Sequence, residues 1–301
     1  MPKNLIDAII EIIQARQFTL PRVMNRDGRN QIADEDEDQG KQGQGLALEL
    51  YVKRAFAGAL SLDNEDEIQE RLSETFSFQG AKNHPPDAKI RGGECLEIKK
   101  IGKAFSELQF NSSPPAATLS SSDARLILDC QNSEGRPWEE KVLYVVGVVP
   151  PKTRKISQVF FVYGEDYCPY IHCNKIYFSL KKKIGKIKSV SEDTNELGAV
   201  KAIGPKGYTS LRIRGMWKMK SPWKVFAQSG DDQSGRFTLL AVISDTIWNN
   251  LSNRDVLQEL ASRNSLTIED FPFYNPNNAK RRRGKLIKFV CDLPQDSPEQ
   301  N

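Results

Sequence analysis

The sequence predicts an α/β fold, a mixed β-sheet flanked by helices, and three observations carry that expectation. Apolar residues recur at helical spacing early in the chain. From Asp87 onward they gather instead in short β-type runs. The tail mixes both patterns, and helices first with strands through the middle argue for one α/β or α+β domain.

Taken in order, residues 4 to 16 read as an amphipathic helix, with Leu5, Ile6, Ile9, Ile10 and Ile13 at helical spacing and Asn4 as N-cap. The polar stretch 26–45 holds consecutive carboxylates from Asp34 to Asp38, which repel one another and predict a mobile surface loop. Leu46, Leu50, Val52, Phe56 and Leu60 mark a second helix over 46–60, and a charged amphipathic helix is expected over 64–76. Short β runs follow at 88–90, 95–101, 142–149, 159–163, 237–243 and 286–290, with a helix at 254–263 capped by Asn253. No repeat or linker divides the chain, so 1–293 are expected to form a single domain and 294–301 a disordered tail.

Composition bounds the function. The chain has 301 residues, 39% of them hydrophobic and 27% charged, which excludes a disordered polymer. Its 43 basic and 39 acidic residues leave a net charge of +4, permitting a nucleic-acid partner without demanding one. The N-terminus is no secretory signal, and the apolar run Val142–Val149 is too short to span a bilayer, so no membrane partner is expected. Five scattered cysteines without a CxxC pair, beside two histidines, argue against zinc and for a reducing, cytoplasmic compartment.

The segment Pro85 to Lys100 carries the chemistry. Arg91-Gly92-Gly93 reads as the turn of a β-hairpin, because glycine accepts the positive φ that a tight turn needs. With those residues as the loop, Ile90 faces Glu94 and Asp87 faces Glu97. Alternation then sets Glu97 and Lys99 on one face and Leu96 and Ile98 on the other. Two carboxylates and an ammonium on one patch suit phosphodiester hydrolysis. Asp87, Glu97 and the Ile98 carbonyl offer hard oxygen ligands to Mg²⁺. Lys99 is expected to position the attacking water and offset transition-state charge, leaving 5′-phosphate and 3′-hydroxyl ends.

An acidic-x-Lys triplet is common, and the chain contains a second: Glu139-Glu140-Lys141, preceded by Asp129. That set is expected to lack a glycine turn between its members, and its Glu139 is expected beside Trp138 rather than inside a β run. A surface hairpin with solvated charges stays open as the alternative for the first set.

The stretch FxGxxxxPPDxxIRGGxxxEIKKI, Phe78 to Ile101, resembles the NgoPII family of type II restriction endonucleases. Further blocks resemble it in the same order, among them Gly45–Glu49 with Tyr51–Lys53, Asn111–Ser113, Tyr144–Val149, Tyr163–Cys168, Asn195–Gly198 and Leu211–Trp217. The resemblance runs from about residue 4 to about residue 226. It implies a restriction-endonuclease-like PD-(D/E)xK core acting as a Mg²⁺-dependent homodimer on double-stranded DNA at a short G/C-rich palindrome. The family's namesake reads GGCC, so that site or a close relative is the first expectation, with a cognate DNA methyltransferase as genetic partner. It carries the catalytic and metal-binding roles to Asp87, Glu97 and Lys99. Related nucleases place an extra carboxylate on a preceding helix; here that is Glu49, which is equally compatible with an exposed helix charge. The longer acidic loop and the lysine-rich 181–188 segment depart from the family pattern and bear on specificity.

Guanine O6 and N7 favour Arg or Lys donors in the major groove. Arg212 and Arg214 alternate in LRIRGMW, with Ile213 toward the core, and ion-pair roles remain their alternative. Ser112 and Ser113 are candidates for base or phosphate contact, or a plain turn before Pro114-Pro115. Lys103 and Lys218 complete the candidate DNA-binding set. The clusters 181–188 and 280–285 read as phosphate contacts or solvated runs, and Trp217, Trp223 and Phe226 as core. A structure-specific repair or recombination nuclease and a non-catalytic DNA-binding module are the competing classes. A nucleotide-binding enzyme is disfavoured, since neither GxxxxGK[ST] nor a post-strand GxGxxG occurs.

Overall fold

The computed structural model describes residues 2–23, 37–80, 84–111, 113–187, 197–203, 205–206, 208–228, 235–263 and 265–293, with backbone alone for 37–42. The first half of the described chain runs α1 (Leu5–Ala15), α2 (Glu37–Ala57), α3 (Glu65–Thr75), β1 (Phe76–Phe78), β2 (Ala88–Ile90), β3 (Cys95–Ile101), β4 (Leu108–Asn111), β5 (Thr118–Ser120), α4 (Leu128–Gln131) and β6 (Glu139–Val148). It continues through β7 (Gln158–Tyr163), α5 (Gly164–Tyr167), α6 (Tyr170–Gly185), β8 (Gly198–Ile203), β9 (Thr209–Ile213), β10 (Met216–Met219) and α7 (Pro222–Val225). The last elements are β11 (Arg236–Ser244), α8 (Asp245–Trp248), α9 (Arg254–Arg263), β12 (Leu266–Tyr274) and β13 (Arg281–Asp292).

A mixed sheet organises these elements in the order β1-β2-β3-β6-β7-β11-β13-β12, with β5 added beside β6. The β3–β6 and β7–β11 pairs are parallel and the other pairs antiparallel. The predicted class, a mixed sheet flanked by helices, is the one observed. Two hydrophobic cores lie on its two faces, sorted by strand alternation. Ala88, Ile90, Leu96 and Ile98 join α1, α2 and α3 in one. Cys95, Ile101, Phe110, Tyr144, Phe160, Trp223 and Phe226 belong to the other, so Trp223 and Phe226 are core as the sequence predicts.

The first helix forms where expected, and its cap explains why. Asn4 accepts the Ile6 N–H through Oδ1 at 2.7 Å, while Asp7 accepts the Asn4 N–H at 2.8 Å. Six of its residues are buried, each large one adding about 1.5–3 kcal/mol of apolar burial. The second helix starts at Glu37, so residues 37–45 are helical rather than part of a loop. Gln44 anchors this early turn, its buried side-chain amide donating to the carbonyls of Pro150 and Thr153 at 3.2 and 2.7 Å. The rest of the acidic segment, 24–36, and the tail 294–301 lie outside the described residues. Leu46, expected on the apolar face, is 44% exposed, and Ala47, Leu48, Tyr51 and Val52 are buried instead. Asn253 stands at φ 62° before α9, and its amide donates to Asp7 at 2.7 Å, tying α9 to α1. Leu48 of α2 lies where a Cβ on Gly147 would sit, 2.6 Å from its Cδ2, which brings α2 close onto the sheet.

Candidate active site

The hairpin that the glycines predict is present. The Ile90 N–H donates to the Glu94 carbonyl at 2.9 Å, the Gly93 N–H to Ile90 at 3.0 Å, and Gly92 takes φ 64°. Ala88 pairs with Leu96 and Lys89 with Cys95; one residue further, that register sets Asp87 opposite Glu97. The Asp87 Oδ2 accepts the Ile98 N–H at 2.6 Å and lies 3.8 Å from the Lys99 ammonium. Lys99 Nζ is 2.5 Å from Glu97 Oε1. The structure therefore gathers Asp87, Glu97 and Lys99 on one patch, with Ile98 bonded to it through its N–H.

Glu49 reaches the same patch from α2. Burial, together with repulsion from Asp87 and Glu97, pushes its carboxyl up to about 7 against the opposing charges of Lys53 and Lys99. That coupling separates Glu49 from an isolated surface charge. Glu97 is likewise raised, by burial first, with Lys99 opposing and Asp87 reinforcing. Burial disfavours the Lys99 ammonium, yet Glu97 and Asp87 overcome it and hold its pKa above the ordinary lysine value.

These groups present hard oxygens whose charges repel one another, which is the chemistry a divalent cation relieves. Among the described residues no three His, Cys, Asp or Glu side chains form a ready-made metal cage. Mg²⁺ does not require one, because it keeps several waters and binds through one or two carboxylates with substrate phosphate. The donor set fits such an ion.

Two contributors were not singled out from sequence. Lys53, one helical turn after Glu49, sits in the field of Glu49 and Asp87; burial lowers its pKa while those carboxylates oppose the shift. The i, i+4 spacing on one helix face was the available signal. Phe110 of β4 lies under Lys99, ring centroid 5.5 Å from Nζ, and only the tertiary fold reveals that contact.

The second acidic-x-Lys set does have a glycine turn between its members, where Gly135 takes φ 65° and its N–H donates to the Asn132 carbonyl at 3.0 Å, but the set is dispersed into other duties. Glu139 to Lys141 begin β6, inside a β run rather than ahead of one, because β5 pairs with them. Lys141 binds Glu165 at 2.5 Å, while Asp129 belongs to the short helix α4.

The DNA-binding candidates spread over a wider surface. Arg212 is exposed on β9, opposite Ala199; Arg214 is exposed just beyond it, and Ile213 between them is half-buried. Lys103 is exposed in the connection from β3 to β4, and Lys218 is exposed on β10. The Ser113 N–H donates to the Asn111 carbonyl at 2.8 Å, a turn, whereas Ser112 lies outside the described residues. Lys181 to Lys183 close α6 and Lys186 follows it; Lys188 is outside the described residues. In the other basic cluster Arg282 binds Asp166, Arg283 faces Asp245 and Lys285 binds Asp270, so these three serve internal ion pairs.

A mixed sheet flanked by helices, with paired carboxylates and a lysine on one of its hairpins, defines the class: a restriction-endonuclease-like protein. The family model described as NgoPII restriction endonuclease matches residues 3–272. This chain belongs to that family. It is 38% identical over 295 residues to the type II restriction enzyme NgoPII of Neisseria gonorrhoeae, covering 95% of this chain and 99% of that protein. No solved structure matches. Among the described residues, no helix is long and apolar enough to cross a membrane.

Proposed function

We propose that this protein is a type II restriction endonuclease that hydrolyses double-stranded DNA at a short G/C-rich palindrome, GGCC or a close relative first. It uses Mg²⁺, acts as a homodimer and leaves 5′-phosphate and 3′-hydroxyl ends. A DNA methyltransferase of the same specificity is its genetic partner. The single observation that carries the reading is the convergence of Asp87, Glu97 and Lys99 within ion-pair distance, in a chain of this family.

Asp87, Glu97 and the Ile98 carbonyl would hold the cation, with Glu49 beside them. When bound, Mg²⁺ polarises the scissile phosphate and lowers the pKa of a coordinated water. Lys99 presents a fixed ammonium to the charge that develops on the phosphoryl oxygens, and Glu97 and Asp87 keep it charged. The Phe110 ring, 5.5 Å from that ammonium, adds a cation–π attraction that favours its charged form. The Ile98 N–H fixes the Asp87 carboxylate, so little reorganisation is needed as substrate arrives. Arg212, Arg214, Ser112, Ser113, Lys103 and Lys218 are the proposed DNA contacts around this centre.

Digestion of a mapped plasmid with and without EDTA, followed by sequencing of the ends, tests the reading. Discrete fragments that disappear with EDTA support it. A smear or branch-dependent cutting indicates a structure-specific repair nuclease instead. Tight binding without cleavage in Mg²⁺ leaves a DNA-binding module.

A further inference from the structure

We propose that the β4–β10 ribbon reads base edges in the DNA major groove, with Gln109, Asn111 and Lys218 as specificity-determining side chains. The inference rests on the nuclease reading above and names what selects its site.

The ribbon stands apart from the large sheet as a two-stranded antiparallel pair. Asn111 lies opposite Met216, Phe110 opposite Trp217, Gln109 opposite Lys218 and Leu108 opposite Met219. Its two faces differ in kind. Leu108, Phe110 and Met219 are buried in the core shared with β3, and Trp217 packs against that core. Gln109, Asn111, Met216 and Lys218 are all exposed on the other face. Upstream, Arg212 of β9 and Arg214 just beyond it are exposed as well. An apolar face anchors the ribbon, and two amides, an ammonium and a thioether face outward.

That outward set has the chemistry of base readout. A two-stranded ribbon fits the major groove, where at a G·C pair Lys donates to guanine O6 and N7, and the carboxamide of Asn or Gln can donate to those acceptors or accept from the cytosine N4 amino group. A solvated strand face would serve equally well with Lys and Glu, whereas carboxamides offer a donor and an acceptor side by side. Position adds to the argument. The ring of Phe110, on the anchored face, lies 5.5 Å from the Lys99 ammonium. Gln109, Asn111 and Lys218 therefore stand across the thickness of the ribbon from Lys99, joined to β3 by the short connection 102–107.

The test compares wild type with Gln109→Ala, Asn111→Ala and Lys218→Ala on the cognate duplex and on duplexes carrying single base-pair changes. Each substitution is expected to lower kcat/KM on the cognate site roughly 5- to 150-fold and to narrow discrimination at one base pair. The amide variants are expected to keep the wild-type Tm and the wild-type salt dependence of binding, because they remove no phosphate contact. Wild-type discrimination in all three variants, or a uniform loss on every sequence, overturns the proposal. A wild type without any sequence preference defeats the nuclease reading and the ribbon together. A preference that the variants retain defeats the ribbon alone.

Discussion

Lys89 places its ammonium 2.8 Å from the Glu134 carboxylate with none of its side chain exposed to solvent. The same ammonium lies 4.7 Å from the Trp138 ring centroid and donates to the Ile90 and Gly93 carbonyls at 3.3 and 3.5 Å. Glu134 also accepts the Gly92 N–H at 3.0 Å, so a buried ion pair holds the turn of the hairpin that bears Asp87 and Glu97. Removing one partner of such a pair strands a buried charge and costs about 3–5 kcal/mol, whereas removing both costs far less. Lys89→Met is therefore expected to destabilise the protein by that order, and Lys89→Met with Glu134→Gln to recover most of the loss. Urea unfolding measures both; a single variant as stable as wild type would refute the clamp.

The same pair sets an acid limit. Burial alone raises the Glu134 carboxyl, but hydrogen bonds from Lys89, Ser77 and Gly92, with the charge of Lys89, push it down to about 2. A depressed carboxyl contributes its stability fully above its unfolded pKa, about 4.3, and loses it as pH falls toward the folded value. Wild type should thus exceed Glu134→Gln in stability near pH 6, and the difference should shrink steadily by about pH 3. Unfolding midpoints at the two pH values decide it, and a constant difference would contradict the assignment.

Gly80 backs directly onto Asp87. It takes φ +90°, and a Cβ there would stand 2.4 Å from the Asp87 carbonyl oxygen. Gly80→Ala must displace the backbone that presents Asp87. A shift of about 1 Å at a reacting group costs on the order of 10²-fold in rate. Cleavage is expected to fall by that order while circular dichroism stays unchanged. Full activity in this variant would separate Asp87 from the chemistry.

The two acidic-x-Lys sets give opposite expectations. Lys99→Ala should lose about 10²–10³-fold in turnover yet still bind duplex DNA, as befits a group that stabilises transition-state charge. Lys141→Ala, which frees only Glu165, should cut at close to the wild-type rate. Single-turnover cleavage with parallel binding assays reads both, and a reversed order would move the catalytic role to the second set.

The hairpin was legible because its determinants are local: a glycine turn and strict alternation on either side of it. The first helix was legible for the same reason, through Asn4 and a repeating apolar face. The helix α6 escaped prediction because its sequence offers no single apolar stripe, and only Tyr177 along it is buried. The edge strand β12 contains Pro272, which argues against a strand when read locally, yet it pairs with β13 along its whole length. The ribbon of β4 and β10 joins residues more than a hundred positions apart, so no short window contains its signal. In the site, Glu49 was visible as a candidate, but its coupling to Asp87 and Glu97 depends on α2 packing against the sheet.

Glu49 rides on a helix over one face of the sheet, while Glu97 and Lys99 point from the opposite face of β3. The reactive centre is thus assembled from two layers and shares the integrity of their junction. A slight lifting of that helix from the strands, far short of unravelling, would disperse its charges. Heat inactivation should then precede the loss of amide-exchange protection in the central strands.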